Sequence, residues 1–390
     1  MRPSSRPVSS LAARVLALVA ATIALVAPAP AGQAGLPPAA AAEIDAFIRA
    51  EQDSARVPGL SVAVAFRHQL LYSKGFGSAD LEHRVPVTDR TVFRTASIAK
   101  PITATALMQL VEQGLVDLDA PIQKYCPAFP VKPWPITPRL ILGHLAGIRH
   151  YKSGESGGKT HYFSIDESLA LFKNDPLLHE PGTKYLYSTF AYNVIGCAIE
   201  GASGLTYEQY LHRNVWAPAG MTRTRLDRLW DIVPDRARGY YRTTEDDLKS
   251  LPPAARTLVK PGDVINAPLH DTSMKIAGGG LLSTSEDLVR FGIAVQTGKL
   301  LKKATLDVMW TQGQTTAGEA TGYGLGWGVQ PPQEGMRRIS HNGNQIGASG
   351  GFIIIPEVEL TYAVLTNLED VEIPRFTRGI AQILRKHLMR

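Results

Sequence analysis

The chain has 390 residues, of which 44% are hydrophobic, enough for a sizeable core in one large domain or two closely joined ones. Its formal net charge is +6, but Arg2, Arg6 and Arg14 lie in an N-terminal leader, so the remainder carries about +3. We find no dense Lys/Arg patch with interleaved aromatic residues, which argues against nucleic-acid binding.

The first 31 residues predict a secretory signal peptide. A basic start is followed by an apolar run, Val15 to Ala27, of about thirteen residues, which is short for a membrane span. Small-residue cleavage sites follow at 27–29 and 29–31. We therefore expect a periplasmic or secreted protein with no stable membrane insertion of the mature chain. A mitochondrial transit peptide and an uncleaved signal anchor are the alternatives, since no acidic residue precedes Glu43.

Residues 32–42 are rich in Ala, Pro and Gly and predict a linker before one domain, residues 43–390. The periodicities then predict, in chain order, a helix at Glu43–Glu51, strands at Leu60–Phe66 and Leu70–Phe76, helices at Ile98–Gly114 and Thr284–Val295, strands at Tyr323–Val329, Gly351–Ile355 and Thr361–Thr366, and a final helix at Arg375–Leu388. Strands near both ends predict an α/β (α+β) fold, with a sheet assembled from both terminal segments and a mostly helical subdomain inserted at about 98–270.

Cys126 and Cys197 are the two cysteines of the chain. Cys197 lies in an apolar helical run, which is typical of a buried free thiol. An exported protein can form a disulfide, but one bond cannot staple a chain of this length. We therefore expect two unpaired thiols.

Ser97-Ile98-Ala99-Lys100 is the most informative stretch of the sequence. Residues three apart share a helix face, so the Ser97 hydroxyl and the Lys100 amine can touch. A lysine held neutral can take the proton of a serine and make it a nucleophile. Ser97 also precedes the predicted helix, where free backbone amides favour developing negative charge. A simple helix-capping serine is the bland alternative.

Two later segments supply companions for this pair. Tyr187-Ser188-Thr189 offers a phenol that can share or pass a proton, and a nearby cation would favour its phenolate form. His341-Asn342-Gly343-Asn344 precedes an apolar run, and a backbone N–H there could face an oxyanion opposite the N–H of Ser97. A packed core tyrosine and a satisfied strand-end histidine are the competing interpretations of Tyr187 and His341.

In this order and spacing, the three segments resemble the serine β-lactamase and penicillin-binding protein superfamily. The most similar branch is the class C-like serine hydrolases, and within it the mitochondrial serine β-lactamase-like members and their bacterial relatives. The supporting stretches are Phe93–Lys100, His144–Tyr151, Tyr185–Tyr192 and Ala277–Thr284. The resemblance covers about 43–390 and implies a β-lactamase/transpeptidase-like fold, in which N- and C-terminal helices flank an antiparallel sheet.

The sequence departs from the family pattern in its second and third motifs. Thr189 stands where the family usually has Asn, and a hydroxyl donates one hydrogen bond where an amide donates two. His341 stands where β-lactamases usually have Lys, and histidine is charged only near or below neutral pH. The Glu-x-x-Leu-Asn segment of class A enzymes is missing. These departures argue against efficient antibiotic hydrolysis.

The resemblance implies acyl transfer on a peptide, amide or ester substrate. Ser97 would attack a carbonyl, Lys100 with Tyr187 would carry the proton, and the amides of Ser97 and Asn344 would hold the oxyanion. His341 would orient the substrate or support Tyr187, while Thr189 and Gly343 would support the site.

A β-lactamase or D-Ala-D-Ala carboxypeptidase is the alternative chemistry for this site. A non-catalytic, self-assembling scaffold of the same fold is a second alternative, and either form could be a homo-oligomer. We expect no cofactor and no metal ion, because His144 and His150 lack the HExxH spacing of a zinc site.

Overall fold

The computed structural model describes residues 35–250 and 252–389. The predicted signal peptide at 1–31 lies outside the described residues, as does the start of the predicted linker. None of the helices in the described part is long and apolar enough to cross a membrane.

The described residues form twelve strands and twelve α-helices, several of them only one turn or a few residues long. The strands are β1 (Gly59–Phe66), β2 (Gln69–Asp80), β3 (Val85–Pro86), β4 (Phe93–Arg94), β5 (Arg225–Leu226), β6 (Tyr240–Arg242), β7 (Val264–Asn266), β8 (Leu281–Ser283), β9 (Gly328–Gln333), β10 (Met336–Gln345), β11 (Ala348–Ile355) and β12 (Leu360–Thr366). The helices are α1 (Pro38–Ser54), α2 (Ala99–Glu112), α3 (Pro138–Leu142), α4 (Ile165–Leu169), α5 (Thr189–Ser203), α6 (Tyr207–Leu211), α7 (Ala217–Ala219), α8 (Glu245–Ser250), α9 (Ile276–Gly279), α10 (Ser285–Gln296), α11 (Lys303–Met309) and α12 (Ile373–Leu388).

The main sheet joins the two ends of the chain. Its seven strands follow the order β3-β2-β1-β12-β11-β10-β9, and every neighbouring pair is antiparallel. The N-terminal strand β1 therefore pairs with the C-terminal strand β12, with Val62 opposite Val364. Only a folded chain can make this pairing, because local sequence does not bring the two segments together.

The two faces of the sheet bury different cores. Leu60, Val62 and Val64 of β1 lie in a core with α1 and α12, whereas Ala63 and Ala65 face a larger core with α2 and α10. This division follows from the alternation of side chains along a strand. Helices therefore cover both faces, and the apolar stripes that the sequence predicts in α1 and α12 pack against each other and the sheet.

The structure confirms the predicted fold class: a mixed α/β fold with a large antiparallel sheet and flanking helices. Between residues 98 and 270 the chain forms α2 to α8, together with the short strands β5, β6 and β7. Helices predominate there, as the sequence predicts, but the small strands were not expected.

Two predicted boundaries are wrong. Helix α1 begins at Pro38, inside the segment we assigned to the linker, because Pro is favourable in a first helical turn and an alanine run follows it. The predicted strand at Tyr323–Val329 begins only at Gly328. Before that point Gly322 and Gly326 adopt φ of 69° and 89°, which interrupts an extended chain.

The expectation of two free thiols is also wrong. Cys126 and Cys197 form a disulfide bond that closes a sequence separation of 71 residues. Cys126 is fully buried and Cys197 nearly so, as the apolar run around Cys197 predicts. Pairing depends on the approach of a loop to α5, which no local pattern reveals.

Candidate active site

Ser97 lies in a single 3-10 turn, Ala96–Ile98, directly before α2. The preceding Ala96 has φ of 48°, a left-handed conformation that is unfavourable for a residue with a Cβ atom. Thr95 anchors the turn, because its backbone N–H and its hydroxyl both donate to the carbonyl of Leu281, each at 3.0 Å. The strained turn thus presents Ser97 at the start of a buried helix.

The structure brings Ser97, Lys100 and Tyr187 together as the sequence predicts. The Nζ atom of Lys100 donates to Ser97 Oγ at 3.0 Å, and the Tyr187 hydroxyl donates to the same oxygen at 2.7 Å. Two polar groups separated by 87 residues of chain therefore converge on one hydroxyl. Tyr187 is not a merely packed aromatic, because its hydroxyl is directed at the serine.

Lys100 is fully buried and held by neutral acceptors. Its Nζ atom donates to Thr189 Oγ1 at 3.1 Å and to the carbonyl of Gly278 at 2.7 Å. Burial, and then the charge of Lys275, lowers the pKa of Lys100 well below its ordinary value. This shift favours the neutral amine, which can accept the proton of Ser97.

Tyr187 is a neutral phenol in this site. Burial raises the pKa of Tyr187, and the hydrogen bond to Ser97 offsets only part of that rise. The Lys100 Nζ atom lies 4.7 Å from the centre of the ring. The expectation that a nearby cation would favour the phenolate is therefore wrong, because burial is the largest influence on the pKa of Tyr187 and raises it.

Strand β10 forms the opposite side of the site. A Cβ atom added to Gly343 would lie 2.3 Å from the carbonyl oxygen of Thr95, so only glycine allows β10 to approach the Ser97 turn this closely. The next residue, Asn344, lies on the cavity wall with Ser97. Its side chain is held outside the chemistry: Ser349 donates to its Oδ1 at 2.9 Å, and its amide donates to Asp370.

His341 lies behind the cavity rather than on its wall. Its Nδ1 donates to the carbonyl of Asn342 at 2.7 Å, so its Nε2 accepts from the Tyr323 hydroxyl at 2.8 Å. Burial and the Lys100 charge lower the pKa of His341 to about 3. His341 therefore carries no charge at neutral pH, and the Tyr187 ring, 6.3 Å away between centroids, is a packing neighbour.

The cavity beside Ser97 has a volume of about 470 Å³ and is open to solvent. Besides the predicted residues it is lined by Lys275, Glu369 and His150, which sequence reasoning missed as site residues. Lys275 lies just before the Ala277–Thr284 stretch that carries the family resemblance, but no motif singles it out. Within the described chain, the one grouping of three potential metal ligands is Asp80, Glu82 and His83, outside this cavity.

Comparison with known proteins agrees with the fold. Residues 44–383 match the model of the Beta-lactamase family. The fold and the site define a serine hydrolase or acyltransferase of the β-lactamase fold. The chain belongs to the β-lactamase family.

Similar proteins come from bacteria, archaea and animals. The chain is 30% identical to the human mitochondrial serine beta-lactamase-like protein LACTB, covering 81% of this chain and 72% of that protein. It is 27% identical to penicillin-binding protein 4* of Bacillus subtilis, over 80% and 68% of the two chains. The octameric penicillin-binding protein homologue of Pyrococcus abyssi superimposes with a TM-score of 0.73 at 26% identity, over 89% and 79% of the chains. The D-amino acid amidase of Ochrobactrum anthropi shares the fold at 23% identity, with a TM-score of 0.73 over 89% and 99%.

Proposed function

We propose that this chain is an exported serine hydrolase that transfers the acyl group of a peptide, amide or ester through an acyl-enzyme on Ser97. The observation that carries the proposal is the convergence of Lys100 and Tyr187 on Ser97 Oγ, at 3.0 and 2.7 Å, at the wall of an open cavity. A serine with only a structural role does not require both a desolvated lysine and a buried phenol on its hydroxyl.

The acylation step uses these three residues in turn. Ser97 Oγ attacks the carbonyl carbon of the substrate while its proton passes to Lys100 Nζ. The carbonyl oxygen becomes an oxyanion, which accepts from the backbone amides of Ser97 and Asn344. Lys100 then returns the proton through the Tyr187 hydroxyl to the leaving amine or alcohol, the scissile bond breaks, and the acyl group remains on Ser97.

Deacylation repeats the sequence with water as the nucleophile. Neutral Lys100, assisted by Tyr187, takes a proton from a water molecule in the open cavity, and the hydroxide attacks the acyl carbon. Ser97 leaves with the returned proton and the product acid departs. Thr189 contributes by accepting a 3.1 Å hydrogen bond from Lys100 Nζ.

A peptide, amide or ester is favoured over a β-lactam antibiotic. The third-motif position that is usually Lys in β-lactamases is His341, which is neutral, buried and bonded to Tyr323, so it brings no charge to the cavity. The penicillin-binding protein and amidase among the similar proteins support acyl transfer as the chemistry, whereas the acyl group itself depends on this cavity.

Export is part of the proposal and rests on two observations. The leader has the pattern of a signal peptide, and the Cys126–Cys197 disulfide belongs to an oxidising compartment. The human LACTB protein is mitochondrial by name, so a mitochondrial destination is the competing assignment. N-terminal sequencing of the protein from separate cell fractions tests these assignments. Export predicts a protein cleaved near residue 31 in the periplasmic or secreted fraction, and a protein that stays inside the cell would contradict export.

Assembly of several copies is compatible with this chemistry. The Pyrococcus abyssi homologue is octameric, which supports testing this chain as a homo-oligomer. Light scattering coupled to size exclusion would give the mass. A filament or oligomer formed equally by the Ser97→Ala variant, with no activity in the wild type, would favour the scaffold function instead.

The decisive experiment is labelling by a fluorophosphonate probe followed by peptide mass analysis. We expect one adduct on Ser97 and none in the Ser97→Ala variant. A substrate panel of p-nitrophenyl esters, D-amino-acid amides and a chromogenic cephalosporin then identifies the substrate class. An unlabelled wild-type serine and no turnover of any panel member would contradict the proposal.

A further inference from the structure

Lys275 is the one lysine or arginine among the described residues that line the Ser97 cavity. Its side chain is only 4% exposed, yet no hydrogen bond or ion pair joins its Nζ atom to any residue in 35–250 or 252–389. The centre of the aromatic ring of Tyr151 lies 5.7 Å from Nζ. A buried cation without a hydrogen-bonded anion is costly, so the position is poised for an external acceptor.

The other basic side chains of this region already have hydrogen-bond or ion-pair partners. Lys100 Nζ has Ser97, Thr189 and Gly278 as acceptors. Arg94 pairs with the buried Asp227 at 2.7 Å. Lys275 differs from Lys100 and Arg94 because it lines the cavity and has no such partner among the described residues.

Lys275 remains largely protonated at neutral pH. Burial and the charge of Arg94 lower the pKa of Lys275 to about 8, while Asp227 and Glu369 oppose that shift. Glu369 lines the same cavity and accepts from the backbone N–H of Gly347 at 3.4 Å. Glu369 has this backbone donor, whereas the Nζ atom of Lys275 has no hydrogen-bonded acceptor among the described residues, so Lys275 is the charged group of the cavity that is available to a ligand.

We propose that Lys275 is a specificity-determining residue that receives a carboxylate on the substrate whose acyl carbon Ser97 attacks. The inference rests on the proposed hydrolase function and names the substrate class: acyl compounds that carry an anionic group beside the reacting carbonyl. Lys275, in the turn before α9, brings to the cavity a positive charge that the neutral His341 of β10 does not supply. A charge-assisted hydrogen bond of this kind corresponds to about a 10- to 100-fold preference.

The test compares three p-nitrophenyl esters of equal length: the glutarate monoester, its neutral methyl ester and an aminopentanoate ester. We expect wild-type kcat/KM to be about tenfold or more higher for the glutarate than for the methyl ester. In Lys275→Met the two kcat/KM values should become equal, and Lys275→Arg should keep part of the preference for the glutarate ester. Lys299→Met, a matched change at an exposed lysine, should leave the ratio as in the wild type.

Each outcome separates this inference from the hydrolase proposal. Equal turnover of glutarate and methyl esters, or a preference for the amino ester that would assign the role to Glu369, overturns the inference and leaves the Ser97 chemistry intact. Absence of all turnover contradicts the hydrolase proposal. In that case the Ser97→Ala protein, titrated calorimetrically with glutarate, still tests Lys275: binding should weaken about tenfold or more in Ser97→Ala/Lys275→Met, and equal binding would overturn it.

Discussion

The Nζ atom of Lys100 donates a 2.7 Å hydrogen bond to the carbonyl oxygen of Gly278, 178 residues later in the chain. A Cβ atom at Gly278 would lie 2.6 Å from the backbone oxygen of Thr189, so α9 and α5 meet closely around the amine. This contact fixes a desolvated lysine beside the serine. The acceptors of Lys100 are uncharged. They satisfy the hydrogen bonds of the buried amine, but they do not raise its pKa as a carboxylate would.

Activity should rise with pH through one ionisation of Lys100. Because the pKa of Lys100 is lowered, its amine is neutral, and able to act as a base, at a pH where an ordinary lysine is still charged. The pH profile of kcat/KM for a neutral ester should show an acid limb with a midpoint well below 10. A flat rate from pH 5 to 9, or a midpoint near 10.5, would contradict the assignment of the base.

Lys100→Met should lower kcat/KM by about 10² to 10⁴, the usual contribution of a general base. Methionine keeps most of the volume of the buried stem, so a loss of activity at unchanged melting temperature would report chemistry. The rate of fluorophosphonate labelling of Ser97 measures the same step directly. Labelling at the wild-type rate would exclude Lys100 as the base.

Tyr187→Phe removes only the hydroxyl that donates to Ser97. We expect kcat to fall about 10²-fold or more, because proton return to the leaving group loses its relay. Esters with a good leaving group should suffer less than amides, since p-nitrophenolate departs without protonation. A uniform loss for both substrates would indicate that Tyr187 only positions Ser97.

Gly343→Ala should disrupt the contact between β10 and the Ser97 turn. The added carbon would lie 2.3 Å from the Thr95 carbonyl, and relieving such overpacking costs about 1–3 kcal/mol. Gly158→Ala is the matched control, because its Cβ atom would meet its nearest neighbour at 3.6 Å. Gly343→Ala should lower both the melting temperature and the rate of probe labelling of Ser97. Gly158→Ala should change neither.

The disulfide should contribute measurably to stability. Closing a loop of 71 residues corresponds to about 4 kcal/mol in the chain-entropy model. The Cys126→Ala/Cys197→Ala double variant should therefore unfold at lower denaturant concentration than the oxidised wild type. Detection of two free thiols in the native protein would contradict the bond.

The buried histidines should make the fold sensitive to acid. The pKa of His341 is about 3 and that of His144 is also lowered, so below pH 6.5 the unfolded state binds protons that the native state does not. The free energy of unfolding should fall between pH 6.5 and pH 3, by up to about 1.4 kcal/mol per pH unit for each histidine. In the His341→Gln variant, the free energy of unfolding, measured with urea at each pH, should depend less steeply on pH than in the wild type. An unchanged pH dependence would contradict a neutral buried His341.

Local chemistry determined much of this protein from the sequence alone. The Ser97–Lys100 spacing and the helix that follows are properties of a short segment, and they predicted the nucleophile and its neighbour. The strand patterns near both ends of the chain predicted the fold class. The alternation in β1 and the apolar stripes of α1 and α12 likewise predicted which faces are buried.

Tertiary structure decided everything that depends on distant segments meeting. The Cys126–Cys197 bond, the neutral state of His341 and the neutral phenol of Tyr187 all follow from burial, which no local pattern measures. Lys275 shows the same limit: as a sequence position it is an ordinary lysine, and only the packed structure places it in the Ser97 cavity without a hydrogen-bonded acceptor among the described residues. Residue type and spacing specify which groups are present, whereas desolvation and proximity, set by the fold, specify their charge and partners.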